Sequence, residues 1–502
     1  MLMDLIVNAA ALALSPSVIV AVLLGVLLGV TVGAIPGISG DMAMALLLPF
    51  VFTMETAAAI GMLMGVYKGS LFGGSISAIM FGVPGTPGAA ATVLDGYPAK
   101  LAGQPNRALH VGLYSSVLGD FGSVLVLIFI ATPLAMLALK FGPREFFALY
   151  IVSIIVIAAL DKGRVALGFA AAAIGVLLSM VGRDPFSGAP RFAFGSSDLA
   201  GGLALVPVLI GLFAVSEIFV QVGRTWRERL QSVQQRLDAA AAAAGYDVST
   251  DRLGLREYLG LWRAVLTGAT TGTIVGALPG AGATLAGFLS YGLAKRFSRT
   301  PEQFGKGALE GIAAPEAGNS ATAGATLIPL FAFGIPGSGS AALIGAAFLM
   351  QGITPGPAMI DSNLVIVYAV FILLLYGSLF TLGASKLLLP WYARISMLPP
   401  RYVLPVVLGL AVLGTYAISN AIFDVWVLVA AGLLGVVMRV AGMPIAPVAL
   451  GFILGPGLER ALRQSLILGF NEPQYFLGST IAISIYAVAI AVVLLFVWIT
   501  RR

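Results

Sequence analysis

The sequence predicts an all-α polytopic membrane protein made of two inverted-topology repeats. Paired Pro-Gly-broken helices form re-entrant hairpins, with about 12 membrane segments in all. Three observations carry that prediction. Hydrophobic residues fill 59% of the 502 positions and charged ones 10%. Mean hydropathy is +1.00, and apolar stretches near spanning length recur along almost the whole chain. One phrase occurs twice: Gly29-Val30-Thr31-Val32-Gly33-Ala34-Ile35-Pro36-Gly37 returns as Gly272-Thr273-Ile274-Val275-Gly276-Ala277-Leu278-Pro279-Gly280. A second break, Phe81-Gly82-Val83-Pro84-Gly85, returns as Phe333-Gly334-Ile335-Pro336-Gly337. Matched interruptions in the same order mark a duplicated unit whose helices are broken on purpose.

Composition removes several classes. So apolar a chain is not a soluble globular protein, and the short alternating segments of a β-barrel are absent. There is no cysteine, hence no disulfide, thiolate metal site or iron–sulfur cluster. A single histidine, His110, leaves no multi-histidine metal centre. The net charge of +6 comes from basic residues in loops, which is an orientation signal and not nucleic-acid affinity. No cleavable signal peptide is expected, since the N-terminus lacks a basic region and runs straight into the first repeat. The 62 glycines serve mainly helix packing, so only the paired Pro-Gly sites carry a functional reading.

Taken in order, residues 1–221 form the first repeat. Its first Pro-Gly unit, 17–54, has no basic residue on either flank, Lys68 being the first in the chain. Further spans are expected near 56–82, 109–139, 146–160, 165–182 and 201–221. Residues 222–258 are a charged, partly helical linker. Arg224, Arg227, Arg229, Arg236, Arg252 and Arg256 place it in the cytoplasm. The second repeat covers 259–460. Its hairpin, 260–296, is flanked by Arg256 and Arg263 on one side and by Lys295, Arg296, Arg299 and Lys306 on the other. Counterpart spans follow near 307–349, 364–390, 402–420, 425–438 and 443–458. Residues 461–502 are a C-terminal loop and an unpaired helix, 478–499, ending inside at Arg501-Arg502.

The matched loops carry opposite charge. Lys100 and Arg107 follow the second break of the first repeat, whereas 351–363 contains no basic residue. The first hairpin therefore enters from outside and the second from inside, which is an inverted repeat. Lys140, Arg144, Arg183 and Arg191 run against this pattern, because it places them outside.

The breaks are also the candidate site. Proline stops a helix, glycine allows an unusual backbone angle, and the next helix begins with amides that have no intrahelical partner. An organic carboxylate fits there without a buried cation. Candidate substrate-binding residues are Gly37, Ser39, Gly40, Gly85, Thr86, Gly280, Gly282, Thr284, Gly337 and Ser338. Ser75, Ser77, Asn319 and Ser320 join them from the polar stretches between breaks. Read singly, each Pro-Gly is a helix kink. Ionisable groups at membrane depth are costly and tend to work, so Asp41, Lys68, Glu316 and Asn319 are candidates for ion coupling, with Asp120 a further carboxylate at that depth. Lys68 alternatively snorkels to an interface, and Asp41 alternatively caps a helix. A carboxylate with Asn319, Ser320 and backbone carbonyls suits Na⁺, although the full ligand set stays open, and a carboxylate alone suits a proton. No other cofactor is called for.

The chain resembles the large membrane subunit of the tripartite tricarboxylate transporters. The likeness rests on Gly33-Ala34-Ile35-Pro36-Gly37, Tyr67 to Ser77 with its Gly-Gly-Ser, Pro84-Gly85-Thr86-Pro87-Gly88 and Asp95-Gly96-Tyr97-Pro98. It extends through Gly182-Arg183-Asp184-Pro185 to Arg191-Phe192, Gly211-Leu212-Phe213-Ala214, Pro315-Glu316 to Ala321, Gly334-Ile335-Pro336-Gly337 and Leu454-Gly455-Pro456-Gly457-Leu458-Glu459. The resemblance implies a multi-pass importer of the bacterial inner membrane. Such a subunit works with a small membrane subunit and a periplasmic solute-binding protein that delivers a carboxylate, driven by Na⁺ or H⁺. Two other readings compete. Gly37-Ile38-Ser39-Gly40 matches an intramembrane serine-protease motif with His110 as base, and a channel independent of any binding protein would share the apolar composition.

Overall fold

A computed structural model of the chain describes residues 2–35, 38–159, 165–227, 251–280, 282–395 and 400–500. The described residues are helical apart from loops and one two-stranded turn, Gly182–Arg183 paired with Pro190–Arg191. Among the described residues, six helices are long and apolar enough to cross a membrane: Pro16–Ala34, Pro105–Ala138, Leu205–Val222, Leu364–Tyr392, Ile422–Val440 and Ile445–Leu468. Between them lie further helices, several of which end at the breaks.

After a short helix α1 (Leu2–Ala13), the first hairpin is α2 (Pro16–Ala34) and α3 (Gly40–Val51). Pro16 opens α2 with its φ already helical. Ser39 caps α3 by accepting from the Met42 amide at 3.1 Å. Helix α4 (Thr56–Phe81) ends at Gly82, left-handed at φ 68°, where a side chain would be strained. The chain then turns back and continues through a short 3₁₀ turn (Pro87–Ala90), α5 (Val93–Leu101) and α6 (Pro105–Ala138). Helices α7 (Pro143–Ala159) and α8 (Val165–Ser179) follow. Then comes α9, which is Leu205–Ile210 and Ser216–Arg227 joined by a π-helical turn, Gly211–Val215.

The second half repeats the series. Its hairpin is α10 (Trp262–Gly276) and α11 (Gly282–Phe297). The expected span at 307–349 is corrected to three pieces: α12 (Glu310–Ala325), α13 (Leu327–Phe333) and α14 (Gly339–Met350). Pro329 explains the first cut, because it has no amide to donate to the Ala325 carbonyl one turn back. Gly334, left-handed at φ 74°, ends α13 as Gly82 ends α4. Helices α15 (Leu364–Ile395), α16 (Pro400–Ser419), α17 (Ile422–Val440), α18 (Ile445–Leu468) and α19 (Thr480–Thr500) complete the chain. Of the linker, residues 228–250 lie outside the described residues.

Packing follows the glycines. Helices α2 and α4 run side by side so closely that a methyl group on Gly25, Gly29 or Gly33 would stand 2.2, 2.4 or 2.5 Å from the carbonyls of Met62, Val66 and Ser70. Gly65, Gly69 and Gly73 face back onto α2 in the same way. Helix α10 meets α12 likewise through Gly268 and Gly272. With little hydrophobic drive between helices in lipid, such close backbone approach supplies the dispersion contacts. Each central helix is also gripped by the other half: α6 packs on α12, and α15 packs on α4.

Candidate functional site

Residues beside the four breaks line one cavity of about 550 Å³. Ser39, Gly40 and Asp41 at the start of α3 line it, with Thr86, Pro87 and Gly88 from the return after α4. Gly280, Gly282, Ala283 and Thr284 come from the second hairpin tip, and Ser338, Gly339 and Ser340 from the start of α14. Tyr67, Ser70 and Leu71 from the middle of α4, Leu285 and Phe288 from α11, and Pro444, Ala446, Pro447 and Leu450 from α18 complete the wall.

Of the residues expected from sequence, Ser39, Gly40, Thr86, Gly280, Gly282, Thr284, Ser338 and Asp41 therefore come together. Gly37 lies outside the described residues. Ser75, Ser77, Gly85, Asn319, Ser320, Gly337, Lys68 and Glu316 do not line the cavity.

The expectation of free tip amides needs correction at three positions. The Gly85 amide donates to the Gly74 carbonyl at 3.0 Å, and the Gly337 amide to the Thr326 carbonyl at 3.3 Å. The Gly280 amide donates to the Gly337 carbonyl at 2.8 Å. Each break folds the chain back against backbone it has just left or against another break, so a buried donor takes the carbonyl it meets. The helices that start at Ser39 and Ser338 each use a serine hydroxyl on one amide, Met42 and Ala341 at 3.1 Å. Their first two amides have no acceptor within the helix.

A second layer stands behind the wall. Glu316, fully buried, accepts from the hydroxyls of Thr92 and of Ser116, the latter at 2.9 Å. Asn319 donates to the Leu71 carbonyl at 3.3 Å, while its Oδ1 and the hydroxyls of Thr86 and Ser320 are buried without a partner among the described residues. Ser77 donates to the Gly74 carbonyl at 3.1 Å. Lys68 does not snorkel. Its ammonium lies 2.6 and 2.8 Å from the two Asp120 oxygens and 2.9 Å from the Ser378 hydroxyl, buried where α4, α6 and α15 cross. The protease pair is not assembled: Ser39 caps α3, whereas His110, bonded to the Asn106 carbonyl at 2.7 Å and packed on Tyr114, is absent from the cavity wall.

Two quoted motifs act elsewhere. Asp95, buried, accepts from the amides of Gly305, Gly307 and Ala308 at 2.8 Å and from the Tyr291 hydroxyl at 2.9 Å, so α5 holds the loop that leads into α12. Asp184 and Arg191 meet Glu459 and Arg463 in a four-charge cluster, with Arg191–Glu459 at 2.7 Å and Arg463–Asp184 at 2.8 Å. The Ser187 and Phe186 amides, with Arg463, hold the Asp184 carboxyl well below the usual carboxylate range. The Gly211 motif is the π-turn of α9, whose Phe213 closes on Gly339, within 3.2 Å of where a methyl there would sit. Sequence reading missed Phe288 and the start of α18 as cavity wall. The Pro444-x-x-Pro447 pattern at the head of a span was the one signal available.

Comparison with known proteins decides the family, because residues 19–450 match the tripartite tricarboxylate transporter TctA family. The chain belongs to that family. The matched stretch includes every residue that lines the cavity. A protein of Agrobacterium vitis described as "Uncharacterized 52.8 kDa protein in TAR-I ttuC' 3'region" is 36% identical over 98% of this chain and 96% of its own length. A second, "Uncharacterized protein in TAR-II ttuC' 3'region" from the same organism, is 38% identical over 45% of this chain and 93% of its own length. No solved structure matches. The TctA family member described here is thus a multi-pass membrane component of a transporter, and its cavity lies within the matched residues.

Proposed function

We propose that this TctA-family chain is the large subunit of an ion-gradient-driven importer in the bacterial inner membrane. It takes a small organic acid anion, a tricarboxylate or a related carboxylate, from a periplasmic solute-binding protein and works beside a small membrane subunit. The carrying observation is that four broken helices, two from each half, converge on one cavity whose wall, among the described residues, has no lysine, arginine or histidine. Helix N-termini at Gly40, Gly282 and Gly339 then supply the positive potential for an anion. Two hairpins entering from opposite faces, as the loop charges argue, allow the halves to rock around a fixed midplane site. The matched geometry of the second breaks supports duplication, since Gly85 and Gly337 each bond a carbonyl eleven residues back.

Plugging the cavity tests the reading. Ala283 and Ala446 stand on different walls, and Ala283→Phe or Ala446→Phe fills space a carboxylate needs. Uptake of radiolabelled tri-, di- and monocarboxylates is measured in cells expressing the chain with its two partner subunits. We expect either variant to cut uptake of the transported acid about 100-fold or more, as filling a binding pocket costs several kcal/mol of affinity. Membrane insertion is expected to be unchanged. Normal uptake by both variants sinks the proposal.

A further inference from the structure

Among the described residues, the cavity wall holds one carboxylate, Asp41, and no cationic side chain. Asp41 stands in the first turn of α3 and accepts a hydrogen bond from the Ser340 hydroxyl of α14. A methyl on Gly339 would lie 3.0 Å from its other oxygen, so the acid rests against the N-terminus of α14 from across the cavity. One of the helix ends that would attract a substrate anion is already covered by this acid.

Among the described residues, the cations around it are matched to other acids. From α4, Tyr67 is aimed at Thr326, its hydroxyl 3.4 Å from that of Thr326. The next residue, Lys68, is matched to Asp120. Arg439 on α17 is matched to Glu217 at 2.5 Å. The other elements packed on α3 are α2, the first part of α9 with its π-turn, α14 and α16. Their side chains described, residues 404–419 in the case of α16, include no charged group. An organic anion entering this space therefore joins a carboxylate at short range in a poorly screened site, which is unfavourable unless positive charge arrives too.

We propose that Asp41 is the site of the co-transported cation, a proton or a sodium ion that neutralises it as the organic anion enters. The inference rests on the reading of the cavity as an anion site and narrows the coupling candidates to the one that touches the cavity. Glu316, by contrast, lies behind the wall with hydroxyl donors to both its oxygens. Coupling then follows from charge: the anion meets an ionised carboxylate unless the cation has first neutralised it, so cation binding favours anion binding in the same cavity. The Asp41–Ser340 bond also joins the first half to the second, so a cation at Asp41 acts on the contact between them.

The test needs no substrate. The purified full-length chain is unfolded thermally in detergent while Na⁺ replaces K⁺ at constant ionic strength, and separately while pH is lowered. We expect the midpoint to rise with one of the two cations, and Asp41→Asn to lose that rise while Glu316→Gln keeps it. Ser340→Ala keeps the carboxylate and removes its hydroxyl donor. It should move the half-saturating cation concentration by about threefold or more, the worth of one hydrogen bond. A full response in Asp41→Asn, an unmoved titration in Ser340→Ala, or a response lost only in Glu316→Gln overturns the assignment. An intact, Asp41-dependent response beside normal uptake by both plugged variants would leave the cation site standing and remove only the anion reading.

Discussion

Gly272 and Gly292 stand on the two arms of the second hairpin and differ in what a methyl group there would meet. On Gly272 it would lie 2.1 Å from the Gly318 carbonyl, whereas on Gly292 nothing lies within 4 Å. A backbone carbonyl cannot swing aside, so Gly272→Ala must separate α10 from α12. We expect a loss of about 1–3 kcal/mol, the usual cost of overpacking. Gly292→Ala should be neutral or gain roughly 0.5–1 kcal/mol by restricting the unfolded chain. Denaturant unfolding in detergent separates the two, and equal effects would contradict packing as the role of Gly272. The same contrast shows how far single residues were legible. The Pro-Gly breaks could be read directly because proline and glycine act on their own backbone. Whether a break's amide is free could not, because it depends on a distant carbonyl, Gly74 for Gly85 or Thr326 for Gly337. Asp41 and Lys68 looked alike in sequence as charges at membrane depth, yet one faces the cavity and the other is locked to Asp120.

Between elements, the Lys68–Asp120–Ser378 cluster is the sharpest case of what spacing hides. Its members are 52 and 310 residues from Lys68, and only the crossing of α4, α6 and α15 brings them together. Removing one charge leaves the other buried and unmatched, so Lys68→Met or Asp120→Leu alone should cost about 3–5 kcal/mol. The double variant, Lys68→Met with Asp120→Leu, should recover most of that loss. Unfolding midpoints of the four proteins form the cycle, and additive losses would mean the pair is not coupled. Most hydrophobic spans were legible to within a few residues, since composition marks them, but the helix expected to end near 458 continues as α18 to Leu468 through charged residues such as Glu459 and Arg463. The failure at 307–349 has a local cause. Pro329 interrupts an otherwise continuous apolar run, and a window average over that run registers hydropathy while missing the lost amide.

At the scale of the whole molecule, two hairpins and two returns converge on one cavity, and each half's central helix is held by the other half's long helix. If both hairpins entered from the same face, no inverted pair would relate the two approaches to the cavity. Entry from opposite faces gives it two approaches, each closed by a different half. The loop charges argue for that arrangement, and the cysteine-free chain permits a clean test, because every introduced cysteine is the sole thiol. Thr53 and Thr300 follow the two hairpins, and Ala102 and Thr354 stand at matched places after the two second breaks; all four are exposed. In spheroplasts, a membrane-impermeant maleimide should label Thr53→Cys and Thr354→Cys at once, and Ala102→Cys and Thr300→Cys only after permeabilisation. Parallel repeats would instead put Ala102 with Thr354, and Thr53 with Thr300, on the same side. That outcome would leave the cavity intact but remove the symmetry by which its two entrances can exchange, and with it the reason for writing the Pro-Gly phrase twice.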